Sequence, residues 1–192
     1  KVFNGTCLNL ILAFVLLVRM FHTGRMEALG LKKHSLKVLL YAPAAGYLLV
    51  LAIHFLLDKA GLFQWIEHAT NAPAEQSIVS VLRHSSDIPL ITVICFSAAI
   101  AATLELIFRG YLYPIMKKYT GVWFALITTS LLFGIIHVSL VPFIPLAIFG
   151  AVLVLLYEYT GSIWTPIIAH CIFNTATLIN ILYPGILLPY GT

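Results

Sequence analysis

The sequence predicts an all-helical, polytopic membrane protein, and three observations predict it. Hydrophobic residues make up 61% of the chain and charged residues only 9%, against about 25% charged in a typical soluble domain. Mean hydropathy is +1.01. The apolar residues fall in runs of membrane-crossing length, with the charges collected between them. So few charges cannot clothe a water-facing surface, so the lipid bilayer is the expected partner for most of the exterior.

Each run is read as a helix, because lipid offers backbone groups no hydrogen bonds and spans must satisfy their own. About 20 apolar residues cross a bilayer. On that measure six spans are expected, near Cys7–Phe21, Leu36–Leu57, Pro89–Met116, Val122–Val138, Pro142–Tyr157 and Ile163–Leu182. Arg19-Met20-Phe21-His22 supplies no small-residue cleavage site, so the first run is expected to be a retained span. Residues 1–192 read as a single transmembrane domain, with a motif-bearing core over 89–182 and a loop over 58–88. In that loop Ile78, Val79, Val81 and Leu82 share a helical face beside Glu75, Arg83 and His84. That pattern suits either an interfacial helix or an ordinary loop helix.

The net charge of +4 sits at the ends of the runs, which is a topology signal and not a nucleic-acid footprint. Arg25, Lys32 and Lys33 precede the second run against one acid, Glu27, and Lys117-Lys118 ends the third. The 58–88 loop carries Asp58, Glu67, Glu75 and Asp87 against Lys59 and Arg83. The alternation places Lys32, Lys33, Lys117 and Lys118 on the cytoplasmic side of a bacterial-type plasma membrane and the 58–88 loop outside. Cys7, Cys95 and Cys171 lie inside apolar runs with no disulfide or zinc spacing, so they read as small hydrophobes.

The chemistry-bearing residues are the polar ones inside the runs. Glu105 and Arg109 are the charges in the interior of the third run, at i,i+4, the spacing of an ion pair on one helix face. A charge at the bilayer centre costs about 2.5–3.5 kcal/mol on insertion scales, so it faces a bundle interior or a wet cavity. His137 closes the fourth run, and His170 and Asn174 share one face of the last. Unpaired polar groups in hydrocarbon are costly, so these side chains are expected to meet in one cavity. A carboxylate and an imidazole can activate water, and a second imidazole with an amide can stabilise an oxyanion. Glu105, His137 and His170 also make a donor set for a divalent metal such as zinc, though no HExxH pair is present.

Leu104-Glu-Leu-Ile-Phe-Arg109 resembles the first motif, EExxxR, of the CAAX-protease and bacteriocin-processing family. Phe133-x-x-x-His137 is similar to its second motif and His170-x-x-x-Asn174 to its third. The lead-in Gly161-Ser-Ile-Trp-Thr-Pro-Ile-Ile-Ala-His170 is also similar, and Leu29-Gly-Leu31 weakly so. The resemblance implies a multi-helix membrane endopeptidase acting on a membrane-anchored protein or a peptide. It implies a first-motif glutamate that activates water with His137, oxyanion donation by His170 and Asn174, and Arg109 as the motif arginine.

One position departs from the pattern. The first motif glutamate falls on Leu104, and only the second acid remains, as Glu105. Neighbouring helix positions point about 100° apart, so Glu105 cannot stand in for a side chain at 104 without local rotation or bulging. Three readings follow: an endopeptidase using Glu105 or another base, a protease-like scaffold that binds a membrane partner without cutting it, or a proton-coupled transporter. The last lacks the paired broken spans of inverted repeats.

Overall fold

In a computed structural model, residues 35–70, 89–137 and 143–183 are described, and they are helical with no strand among them. The run Cys7–Phe21 and the face containing Ile78 to Leu82 lie outside these residues. Helix α1 spans Leu36–Lys59, opened by Ser35, whose hydroxyl accepts from the Val38 N–H. A short amphipathic α2, Leu62–Thr70, follows the turn at Gly61, within the described part of the 58–88 loop. The long third run is one rod over Leu90–Thr120, made of α3 (Leu90–Ile107), a π-helical turn (Phe108–Leu112) and α4 (Tyr113–Thr120). Helix α5 spans Val122–Ile135, α6 Phe143–Thr160 and α7 Trp164–Leu182.

Four helices among the described residues are long and apolar enough to cross a membrane: α1, the α3–α4 rod, α6 and α7. Helix α5 is apolar but shorter, with 14 residues. At ~1.5 Å per residue it reaches ~21 Å, less than the ~30 Å hydrocarbon core. The 31-residue rod is instead longer than the core needs and must tilt or project. The π-turn has a local cause. Pro114 offers no N–H to the Gly110 carbonyl, and its ring would collide with that carbonyl in a regular helix. A wider turn immediately before it relieves both conflicts.

Helix α7 packs against α1, α3 and α6, and α6 packs against α5. Lipid removes most of the hydrophobic drive between helices, so close packing and hydrogen bonds hold them. Glycines set the closest approaches. A methyl group on Gly150 would lie 3.2 Å from the Ser130 Cα, and one on Gly134 would lie 2.9 Å from the Phe143 carbonyl oxygen. A central apolar cluster of Val50, Leu104, Phe108, Phe133, Phe149, Val152, Leu153 and Ala169 joins α1, the rod, α5, α6 and α7.

The two ends of the bundle differ. At one end the rod turns into α5 through Gly121 at φ +83°, and α6 turns into α7 through Gly161 at φ +62°. The Lys117 ammonium bonds both Glu158 carboxylate oxygens at 2.7 Å across this end. Tyr119, Trp123, Tyr159 and Trp164 are exposed there, an aromatic belt of the kind that sits at headgroup level. The hydroxyls of Thr160 and Thr165 meet at 2.7 Å and lock the α6–α7 corner. The chain is an integral membrane protein by this architecture.

Candidate active site

The intramembrane charges are buried completely. Glu105 and Arg109 have no exposed side-chain surface, and Arg109 Nη1 donates to Glu105 Oε1 at 3.1 Å. Arg109 lies in the π-turn one helical turn beyond Glu105. Its Nη2 donates to the carbonyl of Gly150, and its guanidinium carbon sits 5.0 Å from the centre of the Phe133 ring. The i,i+4 pairing read from sequence is present, and it is closed.

The pair does not face away from the histidines. His170 Nδ1 lies 2.8 Å from Glu105 Oε1, 65 residues distant in sequence. A carboxylate held by an arginine is an acceptor, so Nδ1 carries the hydrogen and donates. In the neutral ring that tautomer leaves the lone pair on Nε2. His137 is fixed in the same sense. Its Nδ1–H donates to the Phe133 carbonyl, an acceptor only, at 2.8 Å, which leaves Nε2 as the acceptor.

Both imidazoles meet the same aromatic ring. Phe133 is 5.1 Å from His137 and 5.5 Å from His170, centroid to centroid. Phe149 stands edge-on to His170 at 5.4 Å and stacks on Phe173 at 4.2 Å. His170 is buried, whereas His137, at the end of α5, and Asn174, one turn beyond His170, are only partly so. Glu105, Arg109, His170 and His137 therefore surround one region, through Phe133. The direct contact is Glu105 to His170; no bond joins Glu105 to His137. A bulge is present three residues after Glu105, in the π-turn that carries Arg109.

Leu104 is buried within the apolar cluster that contains Phe133, Phe149 and Ala169. The position that resembles the motif's first glutamate thus holds a hydrocarbon side chain beside the ring contacts of both histidines. Three buried polar atoms around the site have no protein partner: Glu105 Oε2, Arg109 Nε and Ser130 Oγ. Among the described residues, no three His, Cys, Asp or Glu side chains gather closely enough to hold a metal ion.

Gly150, Phe149 and the Lys117–Glu158 pair escaped the sequence reading. A glycine inside an apolar helix marks a close backbone approach, and that was the available signal for Gly150. Phe149 carried none, since an aromatic residue in a membrane run is unremarkable. Glu158 was visible as a lone acid at a run end, but its partner lies 41 residues away.

The family model for a type II CAAX prenyl endopeptidase, Rce1-like, matches residues 85–176. Those residues contain Glu105, Arg109, His137 and His170, the side chains gathered around Phe133, and Asn174 one turn beyond His170. The matched segment, 92 of 192 residues, is similar to the Rce1-like CAAX-protease family. A curated relative of the chain is a Bacillus subtilis (strain 168) protein named "Putative membrane peptidase YdiL", 28% identical over 156 residues. That match covers 80% of the chain and 61% of the relative, so the chain spans less than two thirds of the relative's length. No solved structure matches the chain.

Proposed function

We propose that this Rce1-like chain is an intramembrane endopeptidase that hydrolyses a peptide bond of a membrane-anchored protein or peptide, using a carboxylate-oriented histidine in place of the missing motif glutamate. The observation that carries this reading is the buried Glu105–His170 hydrogen bond at 2.8 Å. A carboxylate on Nδ1 fixes the ring's tautomer and orientation and stabilises the imidazolium that forms when Nε2 takes a proton.

In this scheme a water donates one hydrogen to His170 Nε2 and the other to His137 Nε2. Its oxygen forms the new bond to the scissile carbonyl carbon as its proton moves to His170. The Asn174 amide N–H bonds the resulting oxyanion. Collapse breaks the carbon–nitrogen bond, and the proton on His170 passes to the leaving amine. The family resemblance gives His170 to the oxyanion instead. That role needs a hydrogen on Nε2, which the Glu105 contact disfavours by holding the ring hydrogen on Nδ1. Zinc held by Glu105, His137 and His170 is not part of the scheme, because among the described residues these donors do not gather closely enough to hold a metal ion.

One observation favours a second reading. Leu104 packs in the apolar cluster, which suits a scaffold that binds a membrane partner at the same cavity without turnover. We assign the Lys117–Lys118 end to the cytoplasmic side of a bacterial-type plasma membrane, on the charge alternation alone.

Hydrolysis of a fluorogenic peptide with an apolar anchor, by the chain in lipid nanodiscs, separates the readings. The endopeptidase reading expects turnover that falls by about 10²–10⁴-fold in His170→Ala, the range for loss of a general base. Turnover that persists in both His170→Ala and His137→Ala overturns it. No turnover in the unaltered chain, with turnover appearing in Leu104→Glu, selects the scaffold.

A further inference from the structure

Hydrolysis inside a bilayer requires a route for water, and one buried atom already asks for it. Glu105 Oε2 has no protein partner, and a buried acceptor left unmade costs about 1–3 kcal/mol, more when charged. A water at Oε2 removes that cost if it can arrive. Helix α7 carries the path. His170, Asn174 and Thr177 follow at i, i+4 and i+7 and share one face of a helix that also carries Thr165, Thr175 and Asn180. Burial falls along it in order: His170 is buried, Asn174 partly buried and Thr177 exposed.

The direction of the stripe is fixed by the packing. Helix α7 starts at the corner locked by Thr160 and Thr165, near the Lys117–Glu158 pair, and runs away from it. Thr177 is therefore farther from that belt than His170 by ~10 Å along the helix. Helix α6 gives the same sense. Phe149, in contact with His170, is ~9 Å from the start of α6 at Phe143 but ~16 Å from its end at Thr160. The short α5 ends at this level too, with His137 partly exposed just beyond its last turn.

We propose that the stripe His170–Asn174–Thr177 is the water entrance to the Glu105–His170 pair, and that it opens on the membrane face opposite Lys117 and Glu158. The inference deepens the endopeptidase reading, since the face that admits water is also the face from which a polar substrate segment reaches the histidines. It does not depend on turnover. A scaffold with the same stripe has the same wet cavity.

The test is thiol accessibility in sealed, uniformly oriented vesicles, with Cys7, Cys95 and Cys171 replaced by alanine. Single cysteines are placed as Thr177→Cys, Asn174→Cys, Leu155→Cys and Lys118→Cys. Leu155 is exposed on the apolar α6 and reports a lipid-facing thiol. The probe is a charged, membrane-impermeant methanethiosulfonate, which reacts with thiolate and so reads water access.

Thr177→Cys is expected to react at least about tenfold faster than Leu155→Cys, because thiolate forms in water and not in apolar surroundings. Its reaction occurs from the side opposite that which labels Lys118→Cys. Asn174→Cys reacts from the same side as Thr177→Cys, more slowly. Labelling of Thr177→Cys no faster than Leu155→Cys, or only from the Lys118→Cys side, overturns the proposal. Should cysteine on α7 disturb folding, hydrogen exchange of the unaltered protein gives the answer. Amide protection that falls from residue 170 to 178 supports the route, and uniform protection across them refutes it. Missing hydrolysis with labelling intact removes the endopeptidase reading alone.

Discussion

The bundle contains two carboxylate–cation pairs that solve opposite problems. Lys117 and Glu158 join two helices at the headgroup belt, with both carboxylate oxygens bonded at 2.7 Å and both side chains partly exposed. Glu105 and Arg109 sit on one rod in the bundle interior, fully buried. Oε1 serves two donors there while Oε2 serves none. A pair selected only to hold helices together has no reason to leave a buried oxygen unmet. The incomplete pair is the one next to the histidines, and its spare oxygen and oriented imidazole are what a water-using site needs. The complete pair marks an edge of the bundle.

Breaking each pair sharpens the contrast. Arg109→Ala strands a buried carboxylate and removes the tie to Gly150, so it is expected to destabilise the protein by about 3–5 kcal/mol. Unfolding in mixed micelles measures the loss, and a cost below ~1 kcal/mol would mean that Glu105 finds another partner. Glu105→Gln keeps the size and an acceptor for His170 but removes the charge. Its larger effect is expected on turnover, a fall of roughly 10²–10⁴-fold, and unchanged turnover would detach the carboxylate from the chemistry. Lys117→Ala is expected to cost only about 0.2–1 kcal/mol, as partly exposed pairs do. A Lys117→Ala loss equal to that of Arg109→Ala would erase the distinction between the two.

Much of this arrangement was legible in the sequence, for identifiable reasons. Glu105–Arg109 could be read because both partners lie on one helix, where i,i+4 spacing fixes the geometry. The starts of α1, α5 and α6 fall within a residue or so of the expected runs, because Ser35, Gly121 and Pro142 punctuate the chain there. The choice between His170 and His137 as the partner of Glu105 was not legible. It depends on how α7 lies across the rod, and on a π-turn whose cue, Pro114, also suits a plain helix start. The aromatic contacts of Phe133 and Phe149 were hidden for a related reason: in lipid-embedded helices, apolar residues on inner and outer faces carry the same composition. The count of six spans extends over residues outside those described, and the described ones supply four long helices and a shorter fifth.

The proposed chemistry turns on one hydrogen atom, the one between His170 and Glu105. Nitrogen NMR of ring-labelled histidine in the intact protein at neutral pH, assigned with His170→Gln, locates it directly. The result predicted is a His170 ring with hydrogen on Nδ1 and a bare Nε2. A His170 ring that bears its hydrogen on Nε2 alone contradicts the contact and the base role built on it.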